Sequence, residues 1–199
     1  MIATAKFSST RVETAKGDFR TIHRNKTWEQ FKHLQKGFEN SRGVRLFYFD
    51  ETIEILMPGK AHELFKSVIG FLIETFLFHH EVEFEPTGSM TQEKAEVASV
   101  EADESYAIEG FSLSIEVNFT SGDINKLSRY KVLAVDEVWF WEDGVLEIYH
   151  LQQDQYEKIE SSLIPSLSTL DCQFLSECIL VGETSRIEAA KKLLKGRSV

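Results

Sequence analysis

VEADESYAIEGFSLSIEVNFTSGDINKLSRYKVLAVDEVWFWED, residues 100–143, decides how the chain is read. Leu113, Ile115 and Val117 alternate with Ser114 and Glu116, which is the two-residue period of a strand. Glu109-Gly110 reads as the turn that joins this strand to one over residues 103–108. Thr120-Ser121-Gly122-Asp123 then opens an amphipathic helix over 124–134 that carries Lys126 and Tyr130. A very apolar strand around Val138-Trp139-Phe140-Trp141 follows at once. Asp143-Gly144 is a type I′ hairpin signal into the strand 145–149.

Outward from that stretch, strands and helices continue to interleave. The best helix in the chain lies over 61–79, where Leu64, Phe65, Val68, Ile69, Leu72, Ile73, Phe76 and Leu77 fill a broad 3.6-residue stripe. So wide a stripe suits a central helix packed on a sheet. Ahead of it, 44–49 and 52–57 read as a hairpin around Asp50-Glu51, and Pro58-Gly59 breaks the chain. Thr27-Trp28-Glu29-Gln30 fits a capping box at the start of an earlier helix. Residues 1–25 are polar with no sustained period, and a loosely packed N-terminal arm is expected ahead of a single domain over 26–199. Residues 92–99 are expected to form a polar surface loop. A strand near 155–159 and helices over 170–181 and 185–194 complete the reading. The basic run Lys191, Lys192, Lys195 and Arg197 reads as a solvated helix end that suits the helix dipole. The fold class is α/β (or α+β), a mixed central sheet flanked by helices.

Composition limits the function. The chain has 199 residues, 42% of them hydrophobic and fifteen of them Phe, which is enough for one proper core. No uncharged apolar run reaches the roughly 18–20 residues of a membrane span, and no signal peptide is visible. Cys172 and Cys178 lie six apart in a helical pattern, which argues against a disulfide. Neither has the cysteine or histidine company of a zinc site. A cytoplasmic protein is expected. The net charge of −10 argues against a general nucleic-acid coat. It leaves room for a nuclease, whose metal-holding carboxylates add to the negative total. Any affinity for DNA must then come from a local basic patch, a bound cation or a partner.

The candidate chemistry rests on Asp103 and Glu116. On adjacent antiparallel strands these carboxylates converge at one sheet edge. Two hard oxygen ligands there suit Mg²⁺ or Mn²⁺, and a nearby lysine would stabilise phosphoryl charge. Surface strands also carry carboxylates routinely, so spacing alone leaves a plain solvated pair open. Glu116 is the more telling of the two, because carboxylates are seldom kept in so apolar a strand unless paired or on a metal. Asp123, Lys126 and Tyr130 share one helix face. An ordinary Asp–Lys surface pair is the alternative.

The ordered run Glu101-Ala102-Asp103-Glu104-Ser105-Tyr106, Ile115-Glu116-Val117, Ser121-Gly122-Asp123, Lys126 with Tyr130 four residues on, and Val135-Asp136-Glu137-Val138-Trp139 resembles the Uma-type family of restriction endonucleases. That family belongs to the PD-(D/E)XK nuclease superfamily. The likeness runs from about residue 28, through Met57-Pro58 and His62-Glu63, to about residue 149. It implies a restriction-endonuclease-like sheet with an acidic Mg²⁺ or Mn²⁺ site at its edge and DNA as substrate. Asp103 matches the motif's aspartate and Glu116 its second acid. Glu63 matches an acidic position that completes the metal site, and His62 a frequent family histidine. Ala102 stands where the motif has proline. Asn118 stands where the superfamily has lysine, and Lys126 on the following helix matches the position to which the family moves it.

Three functions follow as expectations. The first is a Mg²⁺- or Mn²⁺-dependent endonuclease, with Asp103 and Glu116 as metal ligands, Glu63 as an auxiliary ligand, His62 beside it, Lys126 as electrostatic helper and Tyr130 either orienting Lys126 or simply packing. The second is a non-catalytic nuclease-like module that binds nucleic acid or protein, which the acidic charge and Asn118 favour. The third is a protein-binding domain that uses Trp139-Phe140-Trp141. A homodimer is expected from the family likeness and from the aromatic stretch 139–149.

Overall fold

The computed structural model describes residues 9–13, 17–118 and 125–196. The helix opening expected at Thr120-Ser121-Gly122-Asp123 lies outside them. In chain order the first half contains β1 (Ser9–Glu13), β2 (Phe19–His23), α1 (Trp28–Gly37), β3 (Arg45–Phe49), β4 (Thr52–Met57), α2 (Lys60–His79), β5 (Phe84–Pro86), β6 (Thr91–Lys94) and β7 (Ala98–Glu101). The second half contains β8 (Glu104–Ile108), β9 (Phe111–Asn118), α3 (Asn125–Val132), β10 (Glu137–Glu142), β11 (Val145–Gln152), β12 (Gln155–Ile159), α4 (Cys172–Gly182) and α5 (Arg186–Lys195).

The strands form two six-stranded sheets, where the sequence pattern led us to expect one central sheet. The first sheet runs β1-β2-β4-β3-β7-β6 and the second β12-β11-β10-β9-β8-β5. Every pair is antiparallel except β9 and β10. These two are joined through α3, the helical crossover that a parallel pair needs. The chain passes from the first sheet to the second between Glu101 and Glu104, so Asp103 sits at the junction.

Alternation along the strands builds three cores. On one face of the second sheet, Leu113, Ile115, Val117, Trp139 and Trp141 pack against the apolar stripe of α2 and against α4 and α5. Seven of the eight stripe residues read from sequence are buried there, and Leu64 packs at the margin. Between the sheets, Phe47, Leu56, Val100 and Ala102 meet Val138, Phe140 and the Tyr130 side chain of α3. On the outer face of the first sheet, Phe31 of α1 packs with Leu46, Tyr48 and Ile53. The capping box that starts α1 is present, with Thr27 and Gln30 each holding the other's backbone N–H.

Two expectations are corrected. The described part of residues 1–25 is no loose arm: β1 pairs with β2, and β2 pairs with β4 from Phe19↔Met57 to His23↔Ile53. Residues 92–99 are no surface loop: β6 and β7 form a hairpin, and Ala98, Ser99 and Val100 are buried. Both misreadings have one cause. Short strands are joined by backbone hydrogen bonds, which polar residues make as well as apolar ones, so side-chain alternation is weak.

Helix packing has one tight point. A Cβ at Gly182 of α4 would lie 2.3 Å from Cγ1 of the buried Val68 on α2. Val68 is β-branched and stiff, so it cannot swing aside. Gly182→Ala is expected to cost about 1–3 kcal/mol through overpacking. Urea denaturation should also show that Val68→Ala costs less in the Gly182→Ala background than alone.

Candidate active site

The fold places the expected site residues at the seam between the two sheets. The β8–β9 ladder pairs Glu104 with Ile115, and one further step puts Asp103 across from Glu116. The Asp103 amide donates to the Ile115 carbonyl at 3.0 Å, and Asp103 Oδ2 accepts the Val117 amide at 2.6 Å. The aspartate therefore grips the peptide that follows Glu116. Both side chains are almost wholly enclosed, Asp103 at 0% and Glu116 at 2% exposure.

Glu116 and its helix meet as the sequence led us to expect. Lys126 Nζ donates to Asn118 Oδ1 at 2.6 Å and to Glu116 Oε2 at 3.2 Å. The Tyr130 hydroxyl donates to Glu116 Oε1. Lys126 and Tyr130 lie four residues apart on one helix face, which lets both reach the same carboxylate. Burial pushes the Tyr130 phenol well above its usual range, and the Glu116 charge beside it pushes the same way. Tyr130 therefore stays a neutral donor. Asn118, in the position where a lysine was missing, holds the lysine of the next helix.

Asp103 is held from the other side. His62 is buried, with Nε2 2.7 Å from Asp103 Oδ1 and Nδ1 3.0 Å from Asp18 Oδ2. A histidine between two carboxylates gives each of them an N–H only when both ring nitrogens are protonated. Arg45 Nη1 donates to Asp103 Oδ1, while its Nη2 reaches Glu63 Oε1 at 3.2 Å. Glu63 stands at the mouth, with its side chain half exposed.

Sequence reasoning missed Asp18, Arg45, Glu54, Glu101 and Arg129. Asp18 Oδ1 accepts the Gly59 amide at 2.6 Å, at the N-terminus of α2. Burial alone would raise the Asp18 pKa, but the bonds from His62 and Gly59 bring it below its usual value. Glu54 is enclosed by Arg20 (Nε to Oε1, 2.6 Å) and Arg129 (Nη2 to Oε2, 2.7 Å). Burial works against its charge, yet Arg129, Arg20 and Lys126 hold its pKa down at about 2. Glu101 is partly buried, which raises its pKa; Arg45 and Lys66 pull it back and Glu116 adds to the rise. Glu54 carried a signal like that of Glu116, a glutamate between apolar neighbours in Ile53-Glu54-Ile55. Arg45 carried one too, a cation in the otherwise apolar and aromatic strand Arg45-Leu46-Phe47-Tyr48-Phe49.

The donor set suits a hard divalent cation in kind. Each oxygen of an ionised carboxylate has two lone pairs. Among the described residues each Glu116 oxygen accepts one donor, and Asp103 Oδ2 accepts one. Three oxygens on facing strands thus keep a lone pair each. Among the described residues, no three His, Cys, Asp or Glu side chains cluster closely enough to hold an ion. Arg45 supplies positive charge opposite Asp103, and His62 contacts the same oxygen.

A comparison with models of known protein families finds no match, and a comparison with curated proteins finds no significant relative. The fold defines a mixed α+β protein with two sheets and, among the described residues, five α-helices. None of the helices is long and apolar enough to cross a membrane.

Proposed function

We propose that the protein is a Mg²⁺- or Mn²⁺-dependent phosphodiesterase of the restriction-endonuclease-like type, acting on DNA. The observation that carries this reading is Lys126, which contacts both Glu116 and Asn118. An ammonium beside one acid, with a second acid on the facing strand, is the charge arrangement that phosphoryl hydrolysis needs. Asp103 and Glu116 would hold the ion, with Glu63 completing its shell from the mouth. The bound ion would polarise a phosphoryl oxygen and make a bound water more acidic.

This chain's own groups supply the rest. Tyr130 fixes the Glu116 carboxylate in one rotamer, and Asn118 aims Lys126 at it. His62, itself fixed by Asp18, orients Asp103. Lys126 then faces the anionic charge that develops on the phosphoryl group. Burial of both carboxylates keeps bulk water from screening that interaction.

A non-catalytic nuclease-like module that binds nucleic acid or protein is the second reading, favoured by the Arg45 guanidinium that already balances Asp103 and by the net charge of −10. The aromatic strand offers no binding surface, since Trp139, Phe140 and Trp141 are all buried in the monomer. A homodimer would have to use other surface. A cytoplasmic setting accords with Cys172 and Cys178, which are both free thiols.

The test is hydrolysis of supercoiled plasmid and of a mixed-sequence oligonucleotide in Mn²⁺ or Mg²⁺. The expected result is cleavage that EDTA and Glu116→Ala both abolish. DNA binding without turnover in any divalent metal would select the second reading.

A further inference from the structure

Among the described residues, Arg45 is the one cation that touches two of the expected metal ligands at once. It lies on β3 of the first sheet, 5% exposed, among Leu56, Phe47 and other apolar neighbours. One guanidinium nitrogen meets Asp103 Oδ1 and the other meets Glu63 Oε1. A guanidinium is always charged and presents its donors in a fixed fork. Its two prongs therefore engage one oxygen of each of two acids that the metal-site reading assigns to the ion. Burying Asp103 without a counter-charge is costly, and Arg45 meets that need in the absence of an ion.

We propose that Arg45 is a built-in counter-cation that competes with the divalent metal for Asp103 and Glu63, and so sets how tightly the site binds it. This rests on the metal-site reading above and adds a regulator to it. Lys126 contacts only Glu116 among these acids, so it does not compete for Asp103 or Glu63. His62 contacts Asp103 but not Glu63, and its second nitrogen is committed to Asp18. Among the described residues, Arg45 alone is seen to bridge the pair. Two consequences follow. Arg45 ties Asp103 to Glu63 and so holds the shape of the site. Metal affinity is held down because an ion that takes Asp103 Oδ1 or Glu63 Oε1 must displace an ion pair already made.

The experiment is calorimetric titration with Mn²⁺ alone, without DNA, on wild type, Arg45→Met, Arg45→Lys and Glu116→Gln. Arg45→Met keeps an unbranched apolar stem of similar length to Arg's aliphatic part and removes the guanidinium and its charge. It should bind Mn²⁺ at least tenfold more tightly than wild type, and its melting temperature should rise further on adding Mn²⁺. Arg45→Lys keeps a charge but loses the fork, and a gain of about threefold is expected. It also carries the test if Arg45→Met does not fold. Glu116→Gln should weaken binding whatever Arg45 does. If wild type binds Mn²⁺ and loses it on Glu116→Gln, while both Arg45 variants bind as wild type or more weakly, the competition is wrong and the metal site stands. If no form binds Mn²⁺, the metal-site reading and the inference fall together.

Discussion

Lys126→Ala is expected to slow Mn²⁺-dependent hydrolysis by about 10²- to 10³-fold, the loss seen when one well-placed donor to a developing anion is removed. The expectation comes from geometry. The Lys126 ammonium lies 3.2 Å from a carboxylate that would hold the ion, and Asn118 fixes it there at 2.6 Å. A lysine that merely paired with a surface acid would contribute about 0–1 kcal/mol to stability and nothing to turnover. Glu116 keeps its Tyr130 bond in the variant, so the fold should lose only about 1–3 kcal/mol for the missing donor. Single-turnover rates with saturating Mn²⁺, read beside circular dichroism, separate chemistry from folding. If Lys126→Ala cuts as fast as wild type while Glu116→Ala is inactive, Lys126 has no part in the reaction.

Glu54→Gln is expected to destabilise the protein by about 3–5 kcal/mol at pH 7, the cost of breaking a buried ion pair by removing one partner. Arg20 and Arg129 both pair with this carboxylate, and its side chain is 2% exposed. The same group predicts an acid limb. Its pKa falls from 4.5 to about 2 on folding. A depressed folded pKa stabilises the native state above the unfolded value, and that stability is lost as the pH falls from about 4.5 towards 2. The shift corresponds to roughly 3 kcal/mol. Urea midpoints across that window should fall steeply for wild type and more gently for Glu54→Gln, so the two curves converge at low pH. Parallel curves would show that Glu54 does not carry this linkage.

The two predictions mark what the sequence could and could not reveal. Glu116, Lys126 and Tyr130 were legible because a strand period and a helix period, read together, bring them to one point. The α2 stripe was legible for the same reason. Arg45, Glu54, Arg129 and Asp18 were not, because their partners lie 18 to 75 residues away along the chain. Local pattern does not say which distant strand will face them. His62 shows the limit most plainly. Its place near the N-terminus of a helix says nothing of burial, but the β2 region brings Asp18 to one ring nitrogen and the sheet junction brings Asp103 to the other. The division into two sheets was hidden in the same way. The crossing at Ala102-Asp103 is a bend of two residues, and nothing in their composition sets it apart from a continuous strand.

The central claim is that Asp103 and Glu116 hold a divalent cation, and Mn²⁺ soaked into crystals of the protein tests it most directly through anomalous scattering. The account predicts one peak at the seam between the sheets, within roughly 2.0–2.6 Å of an oxygen from each carboxylate, with the Arg45 guanidinium moved off Asp103. Saturating Mn²⁺ that gives peaks only elsewhere, with Arg45 and His62 still on Asp103 and Lys126 and Tyr130 still on Glu116, would contradict it.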